Sequence, residues 1–463
     1  MSVARTSVAN VPVVGPVVRE ARMVARWAAL DGVPRVAIKR AARQGDPQAR
    51  LIIDPALRDD ANDVWDEVRS RGRVTRAAVS AITTDHKIAF DVLRSDGFRV
   101  VSMGEQLPGL LGLVERNTRT GALHPVQAPS LLSVEPPTHT RYRALVSSVF
   151  TARAVAALRD QVQVTADALL DALERRRAAT GTDVVDLVEA YCSKLPVAII
   201  SDILGVPEEE RDRVLQFGEA VAPSLDFVLP WRQFRRTELG LVGFDAWLSG
   251  HIARLRKNPG TDLMSQLIAA TDDEGRLDDL ELRATAGLVL AAGFETTVNL
   301  LGNGTWLLLR HPEQLALLPE DPSRWSTAVD EALRLESPVQ MTARIARRDT
   351  TLGDEPIRRG DMVILLLAAA NRDPAVFDDP LTFDVTRRNA GRHLAFSGGR
   401  HFCLGAALAR AEGEVGLKTL FDRYPDLALA GPGERRSTRV LKGFARLPVR
   451  LGAAAREREP VAG

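Results

Sequence analysis

The feature of this 463-residue chain that most constrains its fold is a long, almost uncharged segment from Asp278 to Arg310. Asp278 followed by Glu281 fits a capping box, which predicts that a helix begins here. At about 1.5 Å of rise per residue, this helix would be about 46 Å long. Between Arg283 and Arg310 the only charged residue is Glu295, so the helix is apolar nearly all round. We therefore predict a buried helix that crosses the middle of a large domain.

A membrane-spanning role for the same segment is disfavoured by its polar content. Glu295, Asn299 and Asn303 lie within it, and an acidic residue at the centre of a bilayer costs about 2.5–3.5 kcal/mol. The net charge of +1 does not indicate a nucleic acid or an anionic membrane as a partner. Two distant cysteines favour a reducing compartment. We expect a soluble, cytoplasmic monomer that has no transmembrane segment and binds no nucleic acid.

Helical periodicity dominates the rest of the chain, and strand-like segments are few. Helices are predicted at 61–71, 86–95, 138–150, 152–177, 184–204, 207–220, 234–257, 261–271, 278–310, 311–318, 324–336 and 404–424. Strands are predicted at 73–83, within 343–367 and near 438–451. The pattern predicts one large domain, mainly α with a minor β region. It spans residues 51–452, between an N-terminal extension of unassigned role, 1–50, and a C-terminal tail, 453–463.

Within the extension, residues 17–30 could form a basic amphipathic helix. Such a helix either lies on a membrane surface or packs on its own domain. The second behaviour is the commoner one, and we favour it here.

The middle of the long helix reads AAGFETTVN, which is unusual for a buried segment. Gly293 weakens a helix interior by about 1 kcal/mol relative to alanine. A lone carboxylate, Glu295, follows, and then the hydroxyls of Thr296 and Thr297. Thr296 could bond back to its own helix and open a groove for a small molecule. The alternative interpretation is a polar kink whose groups are satisfied within the fold.

Two shorter motifs pair charged or polar residues on helix faces. Glu331 and Arg334 are three residues apart, a common pattern worth only about 0.3–0.5 kcal/mol when exposed. His139 and Arg143 are four apart on a helix that begins after two prolines. They point the same way and offer a donor and a fixed positive charge suited to a carboxylate. Each motif is weak by itself.

The stretch LAFSGGRHFCLGAALAR holds Cys403, one of only two cysteines in the chain. Cys403 is surrounded by glycines, a histidine and a phenylalanine just before a predicted helix, which a packing cysteine does not need. A cysteine held as a thiolate against a flat group needs all of them. The other cysteine, Cys192, lacks such surroundings, and we interpret it as a core residue.

Taken in order, four motifs resemble the bacterial cytochrome P450 family, of the actinobacterial type, over roughly residues 50 to 451. They are His139-x-x-x-Arg143, Ala292-Gly293-x-Glu295-Thr296-Thr297, Glu331-x-x-Arg334 and Phe396-x-x-Gly399-x-His401-x-Cys403-x-Gly405. The resemblance implies a cytochrome P450 fold, one large domain whose long central helix crosses a haem. It also implies a haem-thiolate monooxygenase that inserts one atom of O2 into its substrate.

The resemblance further implies residue roles. Cys403 would be the thiolate ligand of iron in haem b, and Gly399 and Gly405 would let the backbone pass close to the sulfur and the porphyrin. Residues expected to bind the cofactor are His139, Arg143, Ala292, Gly293, Arg344, Phe396, Gly399, His401, Cys403 and Gly405, with His139, Arg143, Arg344 and His401 on the propionates. Thr296 would organise oxygen and water, and Glu295 would relay protons. Glu331 and Arg334 would form a structural pair.

The chain departs from the family pattern at two places. Ser397 stands where the family usually has glycine, a change that still permits a tight turn. Thr382 stands where many members carry an arginine that completes a triad with Glu331 and Arg334. Arg387 is a candidate for this third role.

The expected substrate is a lipophilic small molecule, because the segments that would line the distal pocket are mostly aliphatic. The pocket is assigned to Leu110, Leu288, Val289, Ala292, Val339 and Met341. About 60 residues follow Cys403, too few for a reductase domain, so electrons would come from a ferredoxin and a ferredoxin reductase. Their docking site could be Arg392, Arg400 and Arg410, although scattered surface charges are nearly as good an interpretation.

Two other classes of function remain open from the sequence. A haem-thiolate peroxygenase would use peroxide directly, but such enzymes tend to lack the acid–alcohol pair found here. A haem-binding gas sensor or carrier would need neither a proton relay nor a substrate pocket.

Overall fold

The computed structural model describes residues 16–103, 109–270, 275 and 277–454. Its α-helices are α1 (Pro16–Trp27), α2 (Val33–Arg43), α3 (Pro47–Ile53), α4 (Asn62–Arg71), α5 (His86–Arg94), α6 (Gly109–Thr118), α7 (Thr138–Val146), α8 (Ala152–Thr180), α9 (Lys194–Ile203), α10 (Arg211–Val221), α11 (Trp231–Lys257), α12 (Leu263–Ala269), α13 (Asp279–Arg310), α14 (Pro312–Leu315), α15 (Leu317–Glu320), α16 (Arg324–Leu335), α17 (Leu367–Ala370) and α18 (Ala406–Arg423). The prediction of a mainly α fold is confirmed.

The strands are short and form small sheets. They are β1 (Thr75–Arg76), β2 (Ala81–Thr83), β3 (Phe98–Val100), β4 (Val184–Asp186), β5 (Thr342–Ala346), β6 (Thr350–Leu352), β7 (Glu355–Ile357), β8 (Met362–Leu365), β9 (Ala428–Leu429), β10 (Glu434–Arg435), β11 (Phe444–Arg446) and β12 (Pro448–Arg450). The largest sheet has the order β1-β2-β8-β5-β3, in which only β2 and β8 run parallel. A second sheet has the order β4-β12-β9.

The long helix α13 lies at the centre of the main core, as its sequence predicts. Asp278 accepts the N–H groups of Leu280 and Glu281, and the Glu281 carboxylate accepts the N–H of Asp278, so the capping box is complete. Along the described chain, α13 alone is long and apolar enough to cross a membrane, and 72% of its most apolar window is buried inside the protein. We interpret it as the core helix of a folded domain.

One predicted helix, 184–204, is wrong in its first part. Residues 184–186 form β4, which pairs with β12 from the far end of the chain. A single π-helical turn, Val188–Cys192, follows before α9 begins at Lys194. The helix predicted at 138–150 also ends early, at Val146, and a 3-10 turn completes it. Pairing between distant segments overrides the local helical periodicity at 184–186.

The N-terminal helices pack on the domain, in agreement with the favoured interpretation of residues 17–30. Met23 of α1 is buried against Leu229 and Phe234, which flank the start of α11. The guanidinium of Arg26 is buried between the carboxylates of Glu115, at 3.6 Å, and Glu238, at 3.5 Å. The face of α1 that carries Met23 and Arg26 therefore meets protein, while Val18 and Val24 remain exposed.

Candidate active site

Cys403 lies in the loop between a 3-10 turn, Gly399–His401, and the first residue of α18. Its backbone N–H donates to the carbonyl of Phe396 at 2.9 Å, which closes the loop on itself. Gly399 has a φ of +63°, and a Cβ there would lie 2.3 Å from the carbonyl oxygen of Leu93, so only glycine fits. A Cβ on Gly405 would meet nothing closer than 4.0 Å, the ring of Phe150. Packing within the described chain therefore does not require glycine at 405, and its expected approach to the cofactor stays a prediction.

The Cys403 side chain is accessible although protein surrounds it closely. Burial raises the pKa of its thiol, while the N–H of Gly405 and the charges of Arg143 and Arg410 act in the opposite direction. A side chain that is exposed yet strongly desolvated lies in a recess. Cys192, in contrast, is fully buried in the core, and burial raises the pKa of its thiol well above the ordinary value. Only Cys403 is open to a ligand.

One face of α13 also keeps accessible surface although the helix is otherwise buried. Leu288 and Thr296 are half-buried and Ala292 is exposed, at a spacing of four residues that places all three on one side. Glu295 and Thr297 are buried. The hydroxyl of Thr296 donates to the carbonyl of Ala292 at 3.2 Å, the backbone bond expected from the sequence. A flat group lying along this stripe would cover it.

Gly293 has a packing reason that the sequence does not reveal. A Cβ at this position would lie 2.8 Å from two side-chain atoms of Ile200, so glycine allows α9 to approach α13. Its neighbour Ala292 faces the accessible side. The contact of Gly293 seen in the fold is therefore with a helix, while its expected contact with the cofactor stays a prediction.

The four residues predicted to hold propionates form one cationic cluster. The rings of His139 and His401 are 4.3 Å apart, and the Nε2 atoms of both are buried without a hydrogen-bond partner in the described structure. Burial, together with the charges of His401 and Arg143, lowers the pKa of His139 to about 4. The charge of Arg344 contributes to the lowered pKa of His401, after burial. Arg143 donates to the carbonyl of Arg400, at 3.3 Å.

Arg344 has no ion pair among the described residues, although the carboxylate of Glu135 lies 3.8 Å from Nε2 of His401 in the same cluster. The Arg344 side chain is 6% exposed, and burial lowers its pKa to about 10. Its guanidinium donates to Thr342 Oγ1 at 3.1 Å and to the Ala343 carbonyl at 2.9 Å. A buried charge without a counter-ion is costly. The cluster fits a ligand with carboxylates, such as the propionates of haem.

Glu295 has a partner that sequence reasoning missed. Its carboxylate lies 3.3 Å from Arg436 Nη1, and neither carboxylate oxygen makes a hydrogen bond within the described chain. Burial raises the pKa of Glu295, and the charge of Arg436 opposes this. Arg436 lies between β10 and β11, far along the chain and outside any motif. A loosely held, raised-pKa carboxylate is suited to taking up and releasing a proton.

Glu331, Arg334 and Arg387 form a buried triad. Arg334 donates to both Glu331 oxygens, at 2.7 and 2.8 Å, and Arg387 Nε donates at 3.0 Å. Arg387, the candidate suggested by the sequence, fills the third position. Thr382 takes part through its backbone, since its carbonyl accepts from both arginines. No motif predicts this carbonyl contact.

The structure does not bring all six predicted pocket residues together. Leu288 and Ala292 lie on the accessible face of α13, and Val289 beside them is 8% exposed. Val339 pairs with Leu441, and Met341 lines a different recess near the C-terminal hairpin. Leu110 is 73% exposed on α6.

The three arginines proposed as a docking site are unequal. Arg400 pairs with Glu135, at 3.1 Å, and with Asp96. Arg410 pairs with Asp330 at 2.7 Å. The Arg392 side chain is exposed. Two of the three positive charges are therefore partly neutralised, which weakens the case for a strongly basic surface.

A mainly α fold, an accessible cysteine in a recess and a buried arginine without an ion pair in the described part of the chain are together suited to binding haem through a thiolate. The chain matches the cytochrome P450 family over residues 116–321 and 326–437, more than half its length. It therefore belongs to the cytochrome P450 family, whose cofactor is haem with its iron and whose members act as monooxygenases.

Individual relatives agree with this assignment. The chain is 59% identical over 431 residues to a putative cytochrome P450 140 of Mycobacterium tuberculosis, covering 92% of this chain and 97% of the relative. It is 41% identical over 345 residues to 6-deoxyerythronolide B hydroxylase of Saccharopolyspora erythraea, covering 70% of this chain and 78% of that enzyme. The solved structure of P450BioI with a hexadec-9Z-enoic acid ligated acyl carrier protein has a TM-score of 0.78 and 32% identity, covering 86% of this chain and 100% of that one.

Proposed function

We propose that this monooxygenase uses Cys403 as its iron ligand and hydroxylates or epoxidises a lipophilic small molecule. The observation that carries the assignment is the accessible thiol of Cys403 in a desolvated recess beside the N–H of Gly405. Haem with a thiolate ligand supplies the activation of O2 at the expense of two electrons and two protons. The protein would bind and orient the cofactor and the substrate, and it would deliver the protons.

The expected division of labour follows the geometry. Arg143 and Arg344 would neutralise the propionates, which removes the cost of their uncompensated charges, and His139 and His401 would donate hydrogen bonds to the same groups. Phe396, stacked under the Arg410 guanidinium at 4.7 Å, would shield the sulfur side.

On the opposite side of the haem, Thr296 would hold water or oxygen with its hydroxyl on the accessible face of α13. Glu295 would take up and release protons, and its loose pair with Arg436, whose Nη1 is 3.3 Å away, would stabilise its ionised form. The Thr296 hydroxyl would thus orient water or oxygen, and the Glu295 carboxyl would transfer protons.

The lipophilic substrate is supported by the aliphatic stripe on α13 and by relatives. One relative is named as a hydroxylase of 6-deoxyerythronolide B, and one similar structure holds a fatty acyl group on an acyl carrier protein. We further propose that residues 51–452 form the haem domain, that 1–50 and 453–463 are an extension and a tail, and that the protein is a cytoplasmic monomer. A ferredoxin and its reductase would deliver electrons.

The iron-ligand assignment is tested with two cysteine variants. Cys403→Ala should lose the red-shifted Soret band of the reduced carbon monoxide complex, while Cys192→Ala, the matched control in the core, should keep it. A normal thiolate spectrum from Cys403→Ala would show that Cys403 is not the iron ligand.

The source of oxidising equivalents is tested by turnover. Product is expected with a surrogate ferredoxin system and NADH, and little product with hydrogen peroxide alone. Efficient turnover with peroxide alone would instead make the protein a peroxygenase, and no turnover in either system would favour a sensor or carrier.

A further inference from the structure

One side of the long helix α13 carries three polar residues, one in each successive turn. Glu295, Asn299 and Asn303 follow one another at intervals of four, which places them on the same side of the helix. All three are buried, Asn299 and Asn303 completely. Since a buried polar group needs a hydrogen-bond partner, each of the three can be asked which of its bonds the protein provides.

Asn303 has all its polar atoms engaged and anchors the C-terminal hairpin of β10 and β11. Its Nδ2 donates to the carbonyls of Glu336 and Lys442, both at 3.1 Å. Its Oδ1 accepts from Arg435 Nη1 at 2.8 Å. The role of Asn303 is therefore explained by the fold alone.

Asn299, one turn earlier, makes none of these bonds. Its Oδ1 and its Nδ2 are both buried without a hydrogen-bond partner among the described residues. The hairpin packs directly on its carboxamide, since a Cβ at Gly443 would lie 1.9 Å from Asn299 Oδ1. Burying an amide without a hydrogen bond costs free energy, and a leucine of similar size would avoid that cost. The fold alone does not explain an asparagine here.

The unused groups of Asn299 adjoin those of Glu295. The backbone N–H of Arg436 donates to the carbonyl of Gly443 at 3.0 Å, so the hairpin residues that face Glu295 and Asn299 are paired with each other. Both Glu295 oxygens and the Nε of Arg436 are likewise buried and unpaired within the described chain. A buried water makes about three hydrogen bonds to groups of this kind, so the set is suited to holding one.

We propose that Asn299 is a positioning residue for proton transfer by Glu295, and that its carboxamide holds a buried water that hydrogen-bonds to the Glu295 carboxylate. The Nδ2 of Asn299 donates to the water, and the water donates to the carboxylate, so the ionised form is stabilised and the carboxylate is oriented. Two charges also act on Glu295: Arg436 favours its ionised form, and Glu219 of α10 opposes it. The inference rests on the proposed role of Glu295 as a proton donor.

The first test measures protonation in the resting holoenzyme and needs no turnover. Infrared spectra taken against pH follow the carboxyl band of Glu295, which is identified by its loss in Glu295→Gln. Asn299→Val and Asn299→Thr have similar shapes, but only threonine keeps a hydroxyl that can bond to the water.

Asn299→Val should raise the midpoint of the Glu295 titration by about one pH unit, because a hydrogen bond to a charged group is worth about tenfold or more. It should also shift the band of the protonated carboxyl to higher wavenumber, since that carboxyl loses a hydrogen bond. Asn299→Thr should stay near the unsubstituted protein in both respects. Identical band positions and midpoints in the two variants would overturn the proposal.

Asn303→Thr is the matched control on the same side of the helix. It removes bonds that anchor the hairpin, so it should lower the melting temperature and leave the Glu295 band in place. A role of Asn299 in stability alone would give the same pattern at both positions.

Turnover with a surrogate ferredoxin system separates this inference from the proposed function. Asn299→Val should slow product formation about tenfold, a part of the effect of losing a proton donor, and it should add nothing to Glu295→Gln. If Glu295→Gln turns over normally, the proposed role of Glu295 fails. If Glu295→Gln is slow while Asn299→Val and Asn299→Thr turn over equally well, only the inference about Asn299 fails.

Discussion

The buried triad permits a quantitative prediction about Arg387. Its guanidinium, 8% exposed, reaches Glu331 at 3.0 Å and donates to the carbonyls of Asp378, at 2.6 Å, and Asp379 and Thr382, both at 3.2 Å. It thereby holds a turn in which Asp379 has a φ of 43°, in the left-handed region that aspartate adopts more readily than most residues. Arg387→Gln removes the charge and most of these bonds.

The expected cost follows from what Glu331 retains. Breaking a buried ion pair costs about 3–5 kcal/mol when the remaining charge has no partner. Here Glu331 keeps the bidentate contact with Arg334 and the N–H of Asp384 at 3.0 Å. We therefore expect a cost below that range, about 2–3 kcal/mol. Arg334→Gln should cost more, because the fully buried Glu331 then loses its bidentate contact and keeps only Arg387 Nε and the N–H of Asp384, both on one oxygen.

The assay is urea unfolding of the holoenzyme, followed by far-ultraviolet circular dichroism and by the Soret band. The midpoint should fall for Arg387→Gln with an unchanged denaturant slope. Arg388→Gln, the exposed neighbour, is the matched control and should stay within about 0.5 kcal/mol of the unsubstituted protein. If the two variants unfold at the same urea concentration, the triad does not stabilise the fold as argued.

Four further outcomes are expected. Ser397 has a φ of 61°, so Ser397→Gly should stabilise by about 0.5–1 kcal/mol, and a lower melting temperature would contradict this. Arg344→Gln should lower the haem content after purification, measured against total protein; full occupancy would place Arg344 outside the propionate cluster. Thr296→Val should keep NADH consumption while product falls and hydrogen peroxide rises, whereas buried Thr297→Val should leave the ratio of product to NADH nearly unchanged. Burial raises the pKa of the Asp31 carboxyl to about 7, above its value in the unfolded chain. The protonated carboxyl therefore stabilises the fold at low pH, and this contribution is lost as pH rises from about 4 to 7. Asp31→Asn should make the free energy of unfolding depend less on pH over this range.

The parts of the fold that the sequence predicts correctly are those encoded by neighbouring residues. The capping box and apolar run of α13 are local, and its start differs from the prediction by a single residue. Residues 184–186 show the opposite case, since they become β4 only because Pro448, Val449 and Arg450 pair with them. A partner so distant in sequence leaves no periodic signal near position 184.

The same distinction separates the predicted site residues from those that were missed. His139 and Arg143 share a helix face, and the cysteine motif encodes its own loop geometry through Gly399. Arg436 meets Glu295 only because β10 and β11 turn back toward α13. The Gly293 contact with Ile200 is likewise tertiary. A motif therefore identifies the residue that does chemistry more readily than the residue that pairs with it.

Side chains of the N-terminal segment contact a turn, residues 228–229, that lies far along the chain. Trp27 donates to the Leu229 carbonyl at 2.9 Å, Arg35 donates to the Val228 carbonyl, and Asp31 accepts the N–H of Leu229 at 2.7 Å. Val228 is held at a φ of 53°, which a β-branched residue adopts only when its surroundings impose it. Three side chains of the segment thus restrain one strained turn before α11. Burial raises the pKa of Asp31, whereas its bond with the N–H of Leu229 opposes that rise, so the restraining contact offsets part of the cost of burying the carboxyl. No pattern within residues 1–50 reveals this contact.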